Sequence, residues 1–345
     1  MKFQTLFSKS KKNPVYIIAE IGGNFLTYKE GTKLIDAAKD VGVDCIKLQT
    51  YRAQTLVTKN ALFDMKNTGK VSQYDYFKKY ELSKELHKKI FDYAEFSGLD
   101  WFSTPSHQSD VDMLESLGAK AYKVGADDAV NIPFLRIIAK KKLPIFLSTG
   151  MCTLKEVRES VVAILREGNK KIVIMHTVSV YPTYPEQVNL NAIKTLQKEF
   201  PDFVIGYSDH TQSSLACIVS VVIGARVIEK HFTLDKKTKG PDHMLSADPS
   251  EMKYIVESIR TIEKMFGTGI KKPVEQELKN RTNNRKSIVA IRDIKKGEHF
   301  SIENLSFKRP GTGISPKYLS KLLGKEAKRD IREDELICRE DLDGR

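Results

Sequence analysis

The chain is poor in cysteine. Its 345 residues include four, Cys45, Cys152, Cys217 and Cys338, far apart and without a Cys-x-x-Cys pair. That spacing argues against a disulfide framework or a zinc knuckle and fits a reducing cytoplasm. Long apolar runs are missing too. The longest, Leu215 to Ala225, is too short to span a bilayer and contains Ser220 and Gly224, so it reads as a buried helix. Residues 1–12 lack the apolar core of a signal peptide. Neither an arginine-rich arm nor a basic stripe interleaved with aromatics is present, so a nucleic-acid partner is not expected, and no membrane partner either. The formal net charge of +13 comes mostly from lysines on what read as solvated helix faces, with short runs at Lys140–Lys142, Lys170–Lys171 and Lys271–Lys272. Such a surface favours anionic, phosphorylated partners.

What the chain does have is ordinary globular material, 41% apolar and 29% charged, enough for one large barrel and a small domain. Eight β-branched runs recur: Val15–Glu20, Cys45–Thr50, Trp101–Ser103, Ala121–Val124, Pro144–Ser148, Ile172–Thr177, Val204–Tyr207 and Val227–His231. Stretches with helical spacing separate them, such as Leu34, Ala37, Ala38, Val41 and Leu86, Ile90, Phe91, Ala94. Thr153 with Glu156, and Asp248 with Pro249 and Glu251, read as helix starts. Eight alternating units predict an α/β fold, a (β/α)8 TIM barrel, over residues 1–266. Residues 267–286 read as a polar linker. Residues 287–345, with short apolar runs broken by turn signals, read as a small, mostly β domain.

Two segments stand out: Gly206-Tyr207-Ser208-Asp209-His210-Thr211 and Glu229-Lys230-His231-Phe232-Thr233. Each follows a β-branched pair and turns polar. Period two points Ser208 with His210, and Glu229 with His231, the same way. Two neutral imidazoles at the ends of neighbouring strands can converge on one metal ion; the competing reading is two hydrogen-bonded loop histidines. Nearly every other run also ends in a reactive group: Glu20, Lys47 with Gln49, Thr104, Lys123, Ser148 with Thr149, and Ser179. Barrel enzymes build their sites at this rim. Lys47 and Lys123 sit among apolar neighbours, and an inward lysine must meet an anion.

These motifs resemble those of the sialic acid (nonulosonate) synthases. The likeness runs through Ala19–Gly22, Lys47–Thr50, Phe102–Pro105, Leu147–Met151, Gly206–Thr211, Glu229–Thr233 and Gly240–His243. In the tail, Ser287–Ala290, Ile294–Glu298 and Lys308–Gly311 resemble the antifreeze-like (SAF, β-clip) domain of the same enzymes. The resemblance implies condensation of phosphoenolpyruvate with an N-acylated mannosamine-type sugar, as in N-acetylneuraminate synthesis for surface polysaccharides; legionaminate or pseudaminate synthesis from a 2,4-diacetamido-trideoxyhexose is the alternative. It implies a divalent metal on His210 and His231, manganese first, with magnesium or cobalt as alternatives. Lys47, Gln49, Thr104, Lys123, Ser148, Ser179 and Ser208 would surround phosphoenolpyruvate. Glu20, Asp128, Tyr181 and Asp242 would face the sugar, with Arg309 reaching in from the partner of a domain-swapped homodimer. The catalytic set is then Glu20, Lys47, Glu229, His210 and His231.

Read without the resemblance, each serine is equally a strand-end cap, Tyr181 a core aromatic, Asp242 a turn residue and Arg309 a surface turn arginine. Two departures from the family pattern bear on the sugar: Phe25-Leu26-Thr27 after Asn24, and Ala126-Asp127-Asp128 after Gly125. Rival readings are an aldolase using Lys123 as a Schiff base and a barrel that binds a phosphorylated ligand without turnover.

Overall fold

The structure, a computed structural model, describes residues 2–7, 13–65 and 69–342. The chain divides into two compact units, Met1–Gly267 and Thr268–Arg345. In the first, chain order is β1 (Tyr16–Glu20), α1 (Tyr28–Asp40), β2 (Cys45–Thr50), α2 (Ala53–Leu56), β3 (Leu62–Met65), β4 (Gly69–Ser72), α3 (Gln73–Tyr80), α4 (Lys84–Phe96), β5 (Asp100–Pro105) and α5 (Gln108–Ser116). Then come β6 (Tyr122–Val124), α6 (Ile132–Lys140), β7 (Ile145–Ser148), α7 (Leu154–Arg166), β8 (Ile172–Thr177), α8 (Asn191–Glu199), β9 (Val204–Asp209), α9 (Leu215–Ile223), β10 (Val227–His231) and α10 (Pro249–Met265). Eight of the strands close a parallel barrel in the order β1-β10-β9-β8-β7-β6-β5-β2, so the expected TIM barrel is present. Each of the eight runs read from the sequence is one of its strands.

Local chemistry fixes the helix starts. Thr153 and Asp248 form reciprocal capping boxes with Glu156 and Glu251, as their spacing predicts. Thr27 does the same with Glu30, and Phe25 is buried in the core, so two residues of the first departure have structural work. Leu215–Ala225 is a helix through Ile223, but not a buried one. Within the helix only Cys217, Ser220 and Val221 are enclosed, while Leu215 and Val222 face out.

Period-two alternation sorts the barrel into layers. A large cluster including Ile17, Ile46, Leu48, Leu147 and Ile228 fills the shell between strands and helices. Inside, Tyr16, Ile18, Phe102, Phe146, Val173 and Val227 make an apolar layer, and Phe3 and Leu6 of the N-terminal turn pack on it. Phe102 and Phe146 stack there with centroids 4.6 Å apart. The next inward positions toward the strands' C-terminal ends are Glu20, Lys47, Lys123, Ser148, Ser208 and Glu229, all buried. The apolar layer closes one end of the barrel, and charge collects at the other.

Between β2 and α4 lies an insertion not read from the sequence: the hairpin β3–β4, paired antiparallel, followed by α3. In the second unit, the stretch read as a linker contains helix α11 (Glu275–Asn284), whose residues bury nothing. Strand β11 (Ser287–Ala290) pairs antiparallel with β12 (Leu305–Lys308), and Leu336 adds a bridge to Val289. Ile288, Ala290, Ile294, Phe300, Ile331 and Ile337 form that unit's own core.

Candidate active site

Strand register places the polar groups at one level. Glu20 lies opposite both Lys47 and His231, Glu229 opposite Ser208, and Gln49 opposite Thr104. Together they bound a cavity of about 420 Å³. Its lining includes Lys47, Gln49, Thr104, Lys123, Ser148, Ser179, Tyr181, Ser208, His210, Glu229, His231 and Asp242. Glu20 lies fully buried beside it and reaches it through Lys47.

The inward lysines do meet anions, and the anions belong to the protein. Lys123 Nζ sits 2.7 and 2.8 Å from the two carboxylate oxygens of Glu229. Lys47 Nζ pairs with Glu20, donates to Thr104 Oγ1 at 3.0 Å, and lies 3.7 Å from Glu229. Ser208 Oγ donates to Glu229 at 3.2 Å. Two lysines and two glutamates balance here, all four buried. Burial alone would raise the Glu229 carboxyl, but Lys123 and Lys47 outweigh it and hold its pKa at about 2. Lys123 itself falls below the usual lysine range, because burial outweighs its attraction to Glu229. Geometry decides the state of the pair: two short contacts from one ammonium to one carboxylate describe a charged pair.

The histidines occupy the open side of this cage. Their ring centroids are 5.5 Å apart. Tyr181 lies against both, 4.1 Å from His210 and 6.3 Å from His231. His210 Nδ1 donates to the Val178 carbonyl at 2.7 Å, which leaves its Nε2 lone pair free. His231 Nδ1 is buried without a hydrogen-bond partner, 3.4 Å from Asp242 Oδ2. Burial lowers both imidazoles, His210 to about 4 and His231 well below its usual range, so both are neutral at pH 7. Two imidazoles binding one ion at about 2.1 Å put their ring centres roughly 5–5.5 Å apart. The pair therefore fits a shared divalent cation. Among the described residues no third His, Cys, Asp or Glu completes a protein ligand set, so the two histidines alone would hold the ion. Burial, and then Glu20, push the Asp242 carboxyl up to about 7.

The histidine loop is held from behind. Lys230, on the outward side of β10, lies 2.6 Å from Asp209 Oδ2 and also donates to the Thr211 carbonyl. Asp209 accepts from Tyr207 Oη at 2.8 Å and from both the amide and hydroxyl of Thr211 at 3.0 Å. The residues on either side of His210 are thus locked by a buried ion pair. Asn24 ties β1's loop to the β10 segment through the Phe232 carbonyl and Ser246 Oγ. At Gly150 a Cβ would collide with Ser179 Oγ and crowd Ala126 and Thr177, so a side chain there would close the cavity's edge.

One expected residue stands elsewhere. Asp127, not Asp128, lines the cavity: the turn after Gly125 sends Asp128 to Asn131 Nδ2, 2.9 Å away at the start of α6. Arg309 belongs to the second unit, is exposed, and lies 3.4 Å from Asn284 Oδ1. Sequence reasoning missed Thr177, whose hydroxyl is buried without a partner at the end of β8. Alternation from Val173 and Met175 would have pointed it inward. It also missed the aromatic residues Tyr51, Phe63, Tyr76, Phe77 and Tyr80 on the opposite wall.

Comparisons with known proteins identify the family. The NeuB family matches residues 34–271, and the SAF domain matches residues 285–343. The N,N'-diacetyllegionaminic acid synthase of Legionella pneumophila is 43% identical, with 90% of this chain and 89% of the relative covered. The enzyme of that name from Campylobacter jejuni is 41% identical, with coverages of 93% and 98%. The crystal structure of an N-acetylneuraminic acid (sialic acid) synthetase from Leptospira borgpetersenii superposes with a TM-score of 0.71 at 30% identity, over 78% of this chain and 90% of that one. A buried lysine–glutamate cage beside paired histidines, on a barrel that these synthases share, leads to one assignment: the chain belongs to the NeuB family of sialic acid-type (nonulosonate) synthases.

Proposed function

We propose that this enzyme condenses phosphoenolpyruvate with the open-chain aldehyde of an N-acylated amino sugar, giving a nine-carbon 2-keto acid and inorganic phosphate. The observation that carries this reading is the convergence of Lys47, Lys123, Thr104, Ser148, Ser179 and Ser208 with two neutral histidines on one cavity. Two ammonium groups and four hydroxyls match the needs of a phosphate and a carboxylate held together.

Atoms balance as follows. The C3 carbon of phosphoenolpyruvate forms a bond to the aldehyde carbon. Water adds at C2 and the C2–O bond to phosphate breaks; of water's two protons, one goes to the former aldehyde oxygen and the other to the departing phosphate. His210 and His231 would hold a divalent cation, which when bound supplies Lewis-acid polarisation of a carbonyl oxygen. Lys47 and Lys123 anchor and orient the anionic substrate, so the reacting carbons meet at close range. Glu229, ionised beside Ser208, stabilises positive charge developing at C2. Glu20 keeps Lys47 aligned, while Tyr181 and Asp242 face the sugar. No covalent adduct with Lys123 is required.

Two sugar classes fit: an N-acylmannosamine and a 2,4-diacetamido-trideoxyhexose. The relatives at 43% and 41% identity, both named diacetyllegionaminic acid synthases, favour the second. The test is phosphate release from phosphoenolpyruvate across a panel of both sugar classes, with manganese present and keto acid measured alongside. Absence of phosphate release with every sugar, or trapping of pyruvate on Lys123 by borohydride, sinks this reading.

A further inference from the structure

One wall of the cavity is unlike the rest. Tyr51 just after β2, Leu56 on α2, Phe63 on β3, and Tyr76, Phe77 and Tyr80 on α3 form a continuous aromatic face. Phe77 stands at its centre, 5.2 Å from Tyr51, 5.5 Å from Phe63 and 6.0 Å from Tyr76 between ring centroids. Phe63 and Tyr80 each lie 5.3 Å from Tyr76. These edge-on and tilted contacts hold the rings as one rigid surface. The face bears no charge, and the only polar atoms its rings carry are phenol hydroxyls. It stands beside Asp242: burial, and then the charge of Asp242, raise the Tyr51 and Tyr76 hydroxyls.

The lysine cage accounts for the phosphate and carboxylate, and the histidines for the aldehyde end. The aromatic face is left for the remainder of the sugar. An N-acylmannosamine presents a hydroxymethyl tail, whose hydroxyls would lose water there and gain few partners. A deoxygenated carbon or an acetamido methyl loses nothing and gains contact with the ring faces.

We infer that the aromatic wall built by the insertion between β2 and α4 is the specificity subsite of this enzyme, and that it selects amino sugars carrying apolar substituents, a deoxy carbon or an additional acyl group, over hydroxylated ones. This rests on the condensation proposed above. The wall is the work of Tyr51, Leu56, Phe63, Tyr76, Phe77 and Tyr80 and not of the polar strand ends.

The experiment compares kcat/KM for a diacetamido-trideoxymannose with that for N-acetylmannosamine at saturating phosphoenolpyruvate. The wild type is expected to favour the deoxy sugar about 10- to 100-fold, the range for small groups in an apolar pocket. Phe77→Asn should cut that ratio about tenfold or more, chiefly through KM for the deoxy sugar. Phe77→Leu, which keeps the face apolar, should retain most of the ratio. KM for phosphoenolpyruvate reports whether the site has stayed folded. A wild type without preference, or a Phe77→Asn enzyme that turns over with the wild-type ratio, overturns the inference alone. A Phe77→Asn protein that does not fold passes the test to Phe63→Asn, at the wall's edge, under the same criteria. Phosphate release from neither sugar in the wild type overturns the condensation itself, and the inference with it.

Discussion

Replacing Lys123 by methionine isolates the energetics of the cage. The substitution keeps the stem of the side chain as far as Cε and removes its charged end. Glu229 then stays buried with Ser208 at 3.2 Å and Lys47 at 3.7 Å as its remaining partners. In the native protein the Glu229 carboxyl lies at about 2 against an ordinary 4.5. At about 1.4 kcal/mol per pH unit, that difference is worth about 3 kcal/mol. That net shift is shared between Lys123 and Lys47 against burial, so the expected loss is the cost of truncating one partner of a buried pair, about 3–5 kcal/mol. The melting temperature of a unit this size should fall by roughly 5–10 °C at pH 7.

The pH dependence has a definite sign. The folded carboxyl titrates below its unfolded value, so its stabilisation is fully present above pH 4.5 and is lost as pH falls toward about 2. The gap between wild type and Lys123→Met should therefore narrow through that window. Lys123→Met combined with Glu229→Gln removes the orphaned charge and should recover most of the loss. Thermal and urea melts at pH 7 and in mild acid measure all three proteins. A single variant as stable as wild type at pH 7, or a double variant less stable than the single, refutes the charged pair.

Lys47→Ala should raise KM for phosphoenolpyruvate by about 10- to 100-fold, the worth of one charge-assisted contact, and wild-type kinetics would misplace the anion site. Excess chelator should stop phosphate release, and manganese should restore it in wild type but not in His210→Ala or His231→Ala; full activity in chelator rejects the histidine site. Lys230→Met should cost about 3–5 kcal/mol in urea melts, because Asp209 is left buried without its cation, and an unchanged midpoint contradicts that role. Mixing Arg309→Ala with His210→Ala subunits should restore some phosphate release if the arginine serves a partner's site, as family resemblance implies; mixed dimers as inactive as both parents reject it.

The barrel was legible because its strands are short β-branched runs, bounded by turns and separated by helices with apolar stripes. The site was legible for the same reason. Once a run is a strand, period two decides that Lys47, Ser208 and Glu229 point inward with their neighbours two residues on. What resisted reading has physical causes. The segment Gln73–Tyr80 has three tyrosines and a phenylalanine but no aliphatic stripe, and its hairpin carries lysine and glycine in place of alternating β-branched residues. Helix α11 has no apolar face, so composition could only suggest a linker. Asp127 and Asp128 are adjacent in a turn, where alternation does not hold and one residue's displacement changes which carboxylate meets the cavity. The pairing of Lys123 with Glu229 joins positions 106 residues apart, set by barrel closure and not by local sequence.

That pairing bears on how the proposed chemistry is timed. With both lysines engaged by carboxylates, the resting cage is internally neutral, and Glu229 is a very weak base. An entering phosphate and carboxylate compete for the same ammonium groups. As Lys123 and Lys47 turn to the substrate, the attraction that held Glu229 down is shared out, while its burial persists. Its proton affinity must then rise. The carboxylate thus becomes available to stabilise a cationic centre, or to accept a proton from water, only when the anionic substrate is in place. A cage of fixed positive charge could bind phosphoenolpyruvate as firmly, but it would offer no anion beside C2. Under the proposed chemistry the glutamates would do more than neutralise the lysines: they would make reactivity depend on the bound substrate, within one set of four buried charges.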